Sequence, residues 1–136
     1  MIQRIQSVWL LLAAACIALT VKLPYYSGTN AKAISSYELN ATETFLLFGT
    51  TIITGLLAFL TIFFYKKRPL QLRLCVVGIL LEALLIFLYY REVATFTQGT
   101  YSLWALLHGV AVILFFLAAR AINKDEKLIK DSDRLR

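Results

Sequence analysis

Few side chains in this chain could do chemistry, and the most demanding of them is a carboxylate. The run at 78–90, GILLEALLIFLYY, sets Glu82 among apolar residues and ends in two tyrosines. A carboxylate deep in a bilayer costs about 2.5–3.5 kcal/mol on insertion scales, so it requires a partner, a proton or a task. The single histidine, His108, lies in a second apolar run, and Thr51 and Thr54 stand in a third. An acid, an imidazole and two hydroxyls could share a proton or bond from helix to helix. Three roles stay open for Glu82: a protonated acid bonded to a neighbouring helix, a proton- or cation-handling group, and part of an interface with another subunit. Other chemistry lacks its residues. There is no GxxxxGK, HExxH or GxSxG motif, and one histidine is too few for paired haem ligation or an ordinary zinc site. Cys16 and Cys75 form no CxxC pair and read as small packing residues. No enzyme activity, cofactor or metal is expected. Asn40-Ala41-Thr42 matches a glycosylation acceptor, a pattern too short to carry an argument.

The elements that must position these residues follow from composition. Of 136 residues 60% are hydrophobic and 16% are charged, the mix of an integral membrane protein rather than a soluble domain. Four apolar segments, 5–23, 44–65, 72–90 and 102–121, each hold 19–22 residues. At ~1.5 Å per residue each can cross a ~30 Å hydrocarbon core. The expected fold is an all-α, single-domain bundle of four transmembrane helices, with a cytoplasmic helical extension at 122–136. Tyr25, Tyr26, Tyr65, Tyr89, Tyr90, Tyr101 and Trp104 punctuate the segment ends as an interfacial aromatic belt would. Pro24 is read as stopping the first helix, Pro69 as sitting in the turn after the second, and Gly99 falls in the third connection. The stretch LLAAAC resembles a loose lipoprotein cleavage box, but apolar residues continue past Cys16, so the first segment is read as a retained helix.

Basic residues orient the chain. Arg4, Lys66, Lys67, Arg68, Arg73, Arg120, Lys124, Lys127, Lys130, Arg134 and Arg136 fall on one side, eleven against Lys22, Lys32 and Arg91 on the other. The positive-inside rule makes the first side cytoplasmic, with both termini and the middle loop facing in. The net charge of +6 is then topological, and nucleic acid is not an expected partner.

Within the segments, small and polar residues recur at helical spacing: Thr51, Thr54, Ala58 and Thr61; Cys75, Gly78 and Glu82; Ala105, His108, Ala111 or Val112, Phe115 and Ala118. Ala14 and Ala18 add a small-xxx-small pair. Such faces let helices approach closely in lipid. Threonine hydroxyls can also bond their own helix backbone, so the threonine stripe is read chiefly as packing. Counted inward from the external ends, Glu82 lies eight residues before Tyr90 and His108 six after Ser102, about 12 and 9 Å deep. Thr51 and Thr54 fall at roughly 10–15 Å by the same rise. All four share one layer, and the third and fourth helices should be antiparallel neighbours, so Glu82 is expected to meet His108.

After Arg120, Ala121, Ile122, Leu128, Ile129 and Leu135 recur at near-heptad spacing among ten charges, Arg120 included, an apolar stripe on a continuing or hinged helix. Leu128, Ile129, Arg134 and Arg136 are the candidate interaction residues. The stripe could lie on anionic lipid, dock on a protein partner or on the chain's own cytoplasmic loop, or remain solvated. The opening MIQRIQSVWLLLAA and the closing AARAINKDEKLIKDSDRLR resemble a family of small bacterial four-transmembrane inner-membrane proteins of unknown function. The resemblance spans the chain, is concentrated in the termini, and implies the fold without supplying an activity.

These readings combine into a non-enzymatic protein acting by association, as an accessory or scaffold subunit of an envelope complex or as a small homo-oligomer. Its partners would be the lipid bilayer and another membrane protein. The alternative is a small transporter or channel element with Glu82 as its proton-handling carboxylate. Reporter fusions after Arg136 and within residues 66–69 are expected to read cytoplasmic, and one at Ser36 external; a cytoplasmic signal at Ser36 would refute the topology.

Overall fold

A computed structural model of the chain describes residues 3–32 and 36–136. The first two residues of the opening motif, and the side chain of the basic Arg4 used for orientation, lie outside the described parts. The chain order is α1 (Gln3–Thr20), β1 (Tyr26–Asn30), β2 (Tyr37–Leu39), α2 (Phe45–Phe63), α3 (Arg68–Val93), β3 (Phe96–Tyr101) and α4 (Leu106–Arg134). Single 3-10 turns precede α2, follow it, and precede α4. α1 packs on α2 and α4, and α3 packs on the same two, so the helices form a ring with successive members antiparallel. The three strands gather at one end, and the α2–α3 turn lies at the other.

Three of the helices are long and apolar enough to cross a membrane, and a shorter apolar helix covers Ile5–Thr20. This suggests a membrane protein. The exterior agrees: Leu11, Ile53, Leu80, Phe87, Ile113 and Phe116 are all exposed, an outer surface suited to lipid rather than water.

Each helix turns inward a stripe spaced alternately four and three residues, the seam of an antiparallel bundle. Gln6, Leu10, Ala13, Ile17 and Thr20 are buried on α1, and Leu47, Thr51, Thr54, Ala58 and Thr61 on α2. Gln71, Cys75, Gly78, Glu82, Leu85 and Tyr89 are buried on α3, and His108, Ala111, Phe115, Ala118, Ile122 and Asp125 on α4. The stripes read from sequence are therefore the interior. Ala14 and Ala18 are not part of it. They line an open groove of about 470 Å³ between α1 and α2, with Gly55 opposite.

Two expectations need correction. Pro69 does not sit in the turn; it occupies the first turn of α3, where its missing N–H would have had no helical partner. α3 accordingly begins at Arg68 rather than 72, while α1 stops at Thr20, ahead of Pro24. The connections at the strand end are not merely polar loops. They fold into an antiparallel sheet in the order β2-β1-β3, with Tyr26 opposite both Leu39 and Tyr101. β1 and β3 cross closely at the pair Gly28 and Gly99, where a Cβ on Gly28 would lie 2.1 Å from the Gln98 carbonyl oxygen. At the sheet margin Tyr37 donates its hydroxyl to the Glu43 carboxylate, a bond that raises the phenol's pKa above its ordinary value. Of the two forms expected for the tail, a continuing or a hinged helix, the structure shows the first: α4 runs unbroken to Arg134.

Mid-bundle packing is closest at Gly78, where an added Cβ would lie 2.5–2.9 Å from the buried Phe115 ring. Gly78→Ala is expected to lower stability by about 1–3 kcal/mol through overpacking, and adding Phe115→Leu should recover much of it. Thermal melts in detergent would check this; an unchanged midpoint in the single variant would show that the ring yields freely.

Candidate functional site

The bundle core divides into two hydrophobic clusters. One, toward the sheet, contains Tyr26, Leu39, Leu47, Leu85, Leu88 and Tyr89. The other fills the rest of the bundle with Leu10, Ile17, Ala58, Cys75, Phe115 and Ile122 among its members. On every helix the residues between the clusters are polar: Thr20, Thr51 and Thr54, Glu82, and His108. The four residues singled out by sequence are thus buried in one layer, at the seam between the clusters.

In that layer Glu82 Oε2 lies 3.0 Å from His108 Nδ1, with the side chains 0% and 2% exposed. The antiparallel α3 and α4 bring the expected pair together. Either a protonated Nδ1 donates to a carboxylate or a carboxylic O–H donates to a bare Nδ1; in both forms one proton lies between the two groups. Glu82 Oε1 has no hydrogen-bond partner among the described residues. Thr51 and Thr54 are in the layer but do not bond the pair: their hydroxyls donate to the carbonyls of Leu47 and Thr50 on their own helix, both at 2.7 Å. Satisfied within α2, they line the site without consuming its proton. Cys16, half-buried on α1, packs against the larger apolar cluster.

Tyrosines close the pair toward the sheet. Tyr25 and Tyr89 stack with centroids 4.3 Å apart and planes 13° from parallel. Their rings lie 5.7 and 5.1 Å from the imidazole, within the range at which aromatic faces attract an imidazolium. Tyr89 is therefore an interior residue and not a member of the interfacial belt, unlike the exposed Tyr90. The main chain fixes Tyr25 from both sides, its N–H donating to Leu39 O at 2.8 Å and its carbonyl accepting from Ser102 N–H at 3.0 Å. This lid depends on strand pairing between segments some seventy residues apart, and sequence reading missed it.

A second polar region lies at the opposite end. Arg68 Nη2 is 3.2 Å from Asp125 Oδ2, an ion-pair contact without hydrogen-bond alignment. Through Asp125 the tail is tied to the start of α3. Gln71 Nε2 donates to Thr61 O at 3.1 Å, and the carboxamide of Gln6 is fully buried without a hydrogen-bond partner among the described residues. The signal for these residues was available: each continues an interior stripe by one more step, Gln71 before Cys75 and Asp125 after Ile122. By contrast Leu128 and Ile129 are 46% and 39% exposed, and Arg134 and Arg136 are exposed too. The structure brings none of those four to a partner among the described residues.

A family model for a domain of unknown function, DUF4293, matches residues 2–135. The chain belongs to DUF4293. That family description carries no activity, so a role for the DUF4293 chain has to be argued from its own geometry. No curated protein and no solved structure gives a significant match to it. Among the described residues there is no group of three or more His, Cys, Asp or Glu side chains able to hold a metal ion.

The pair makes a sharp stability prediction. Glu82→Leu or His108→Leu alone strands a buried polar partner, at a cost of order 1–3 kcal/mol, whereas the double substitution should cost less than the sum. Glu82→Gln should retain most of the stability because an amide can still bond the imidazole. Melting curves for the two singles and the double decide it, since strictly additive losses would exclude coupling.

Proposed function

We propose that this chain is a four-span bacterial inner-membrane protein, with both termini in the cytoplasm, that acts by association rather than by catalysis. The observation that carries the reading is the free end of α4. Beyond Asp125 the helix continues nine residues to Arg134, about 13 Å at the helical rise, past the point where α3 begins. An isolated helix of that length is marginal in water. It exposes Leu128, Ile129 and Leu135 and carries closely balanced charge, five basic and four acidic residues over 124–136. Balanced charge weakens attraction to anionic lipid and favours a protein partner. An accessory or scaffold subunit fits this arrangement, with the bundle as anchor and the helix end as the docking element.

A second reading, proton handling in a transporter or channel element, is favoured by one specific feature. Glu82 shares a proton with His108 through Oε2 while Oε1 stays bare, so the carboxyl group has a second face from which a proton could leave.

Deleting residues 126–136 is expected to leave insertion and melting behaviour close to the full chain's while removing a co-purifying protein from mild-detergent extracts of native membranes. An identical set of co-purifying proteins with and without the segment would refute the association reading.

A further inference from the structure

The groove between α1 and α2 is a cleft rather than a flat stretch of apolar surface. Ile17 and Thr51 line it although each is only 1% exposed, so it cuts down to the inward stripes of both helices. Ala14, Ala18 and Gly55 leave the space above them, where longer side chains would fill it. The helices meet where Ile17 reaches across, and a Cβ added to Gly55 would lie 3.3 Å from Ile17 Cγ2. From Thr51 to Phe59 the groove follows α2 for about 12 Å along the axis.

Its ends are chemically different. Lys22 lines the groove at the sheet end, is the one charged residue of the lining, and makes no ion pair among the described residues. A smaller groove of about 260 Å³ between α2 and α3, which includes Leu60 and Leu74, is lined by leucine and isoleucine alone.

That single charge decides between occupants. Copies of the chain in one membrane share an orientation, so an isologous contact over this face would set Lys22 against Lys22, which like charge disfavours. An anionic headgroup complements it, because a lysine can lay its stem along an apolar wall and offer its ammonium to a phosphate. The lining contains no acid to pair with the ammonium of a zwitterionic headgroup.

We propose that this groove binds one acyl chain of an anionic phospholipid, with Lys22 holding the headgroup phosphate. The chain runs from the sheet end toward mid-bundle over Ala18 and Ala14, walled by Leu56 and Phe59 of α2. The site rests only on the bundle lying in a membrane. It stands apart from the tail and from the Glu82–His108 pair, whatever either of them does.

The test places the full chain in phosphatidylcholine vesicles doped with phosphatidylglycerol that carries a photoactivatable diazirine on one acyl chain, and locates the label by mass spectrometry. Label at Ala14, Ala18 and Gly55 should exceed that at Leu60 and Leu74 several-fold. Unlabelled phosphatidylglycerol should displace it, although phosphatidylcholine is already in large excess. Ala18→Leu, at an exposed position, should fill the groove and abolish the excess with the melting midpoint unchanged. If that variant does not fold, Ala14→Leu takes its place. Lys22→Gln should bring the labelling down to the level given by a phosphatidylcholine bearing the same diazirine. Equal labelling of the two grooves would overturn the site, since lipid would then only surround the bundle. Labelling unchanged by Lys22→Gln would overturn the headgroup assignment. An unlabelled groove with amine cross-links between the Lys22 side chains of two copies would overturn the lipid as occupant in favour of self-association.

Discussion

The interaction on which the rest of the bundle depends is the contact between Glu82 and His108, 3.0 Å long and sealed from solvent. Neither group is tolerable alone at that depth. An unpaired carboxylate would lose its solvation with nothing in exchange, and an unpaired imidazole would leave a donor or acceptor bare. Together they reduce the problem to one shared proton. Pairing also constrains geometry, because α3 and α4 can satisfy it in only one axial register. A polar contact of this kind helps specify how apolar helices align in an environment where apolar packing alone is permissive.

Around that register the interior is layered. A cluster of tyrosine and leucine side chains lies toward the sheet, then comes the Glu82–His108 layer, then an apolar cluster centred on Phe115, and beyond it Gln71 and the Arg68–Asp125 pair. Alternating small and large residues make the layers fit: Gly78 accepts Phe115, while Ala13, Ala58, Ala111 and Ala118 let the helices approach. Threonines bonded to their own backbone add polarity to the seam without needing a cross-helix partner.

The sheet gives the bundle a rigid end. β1 follows α1 and β3 precedes α4, so pairing them ties the helices' ends together. Tyr25, held by main-chain bonds to Leu39 and Ser102, carries that order into the bundle by stacking on Tyr89 beside His108. At the other end α4 continues beyond Asp125 to Arg134, opposite the sheet.

Much of this was legible in residue order. Apolar runs of about twenty residues define helices because backbone groups in lipid must bond internally, and a stripe of alternating three and four spacing names the face that turns inward. From depth counting alone Glu82 could be matched with His108, since adjacent antiparallel helices leave an acid on one little choice of partner on the next. Gln71 and Asp125 extend those same stripes past the apolar segments' ends, where the reading stopped, and Tyr89 continues one inside its segment but was read as part of the interfacial belt. What only the tertiary structure decided is non-local. Residues 26–30 and 96–101 are short and separately unremarkable; they become strands because the bundle brings them together and each supplies the other's hydrogen bonds. Pro69 could be read equally as a turn or a first-turn residue until the start of α3 was positioned. Whether an interior polar atom has a partner, as Gln71 Nε2 does and Gln6 does not, depends on ångström-scale placement across helices, which periodicity does not encode.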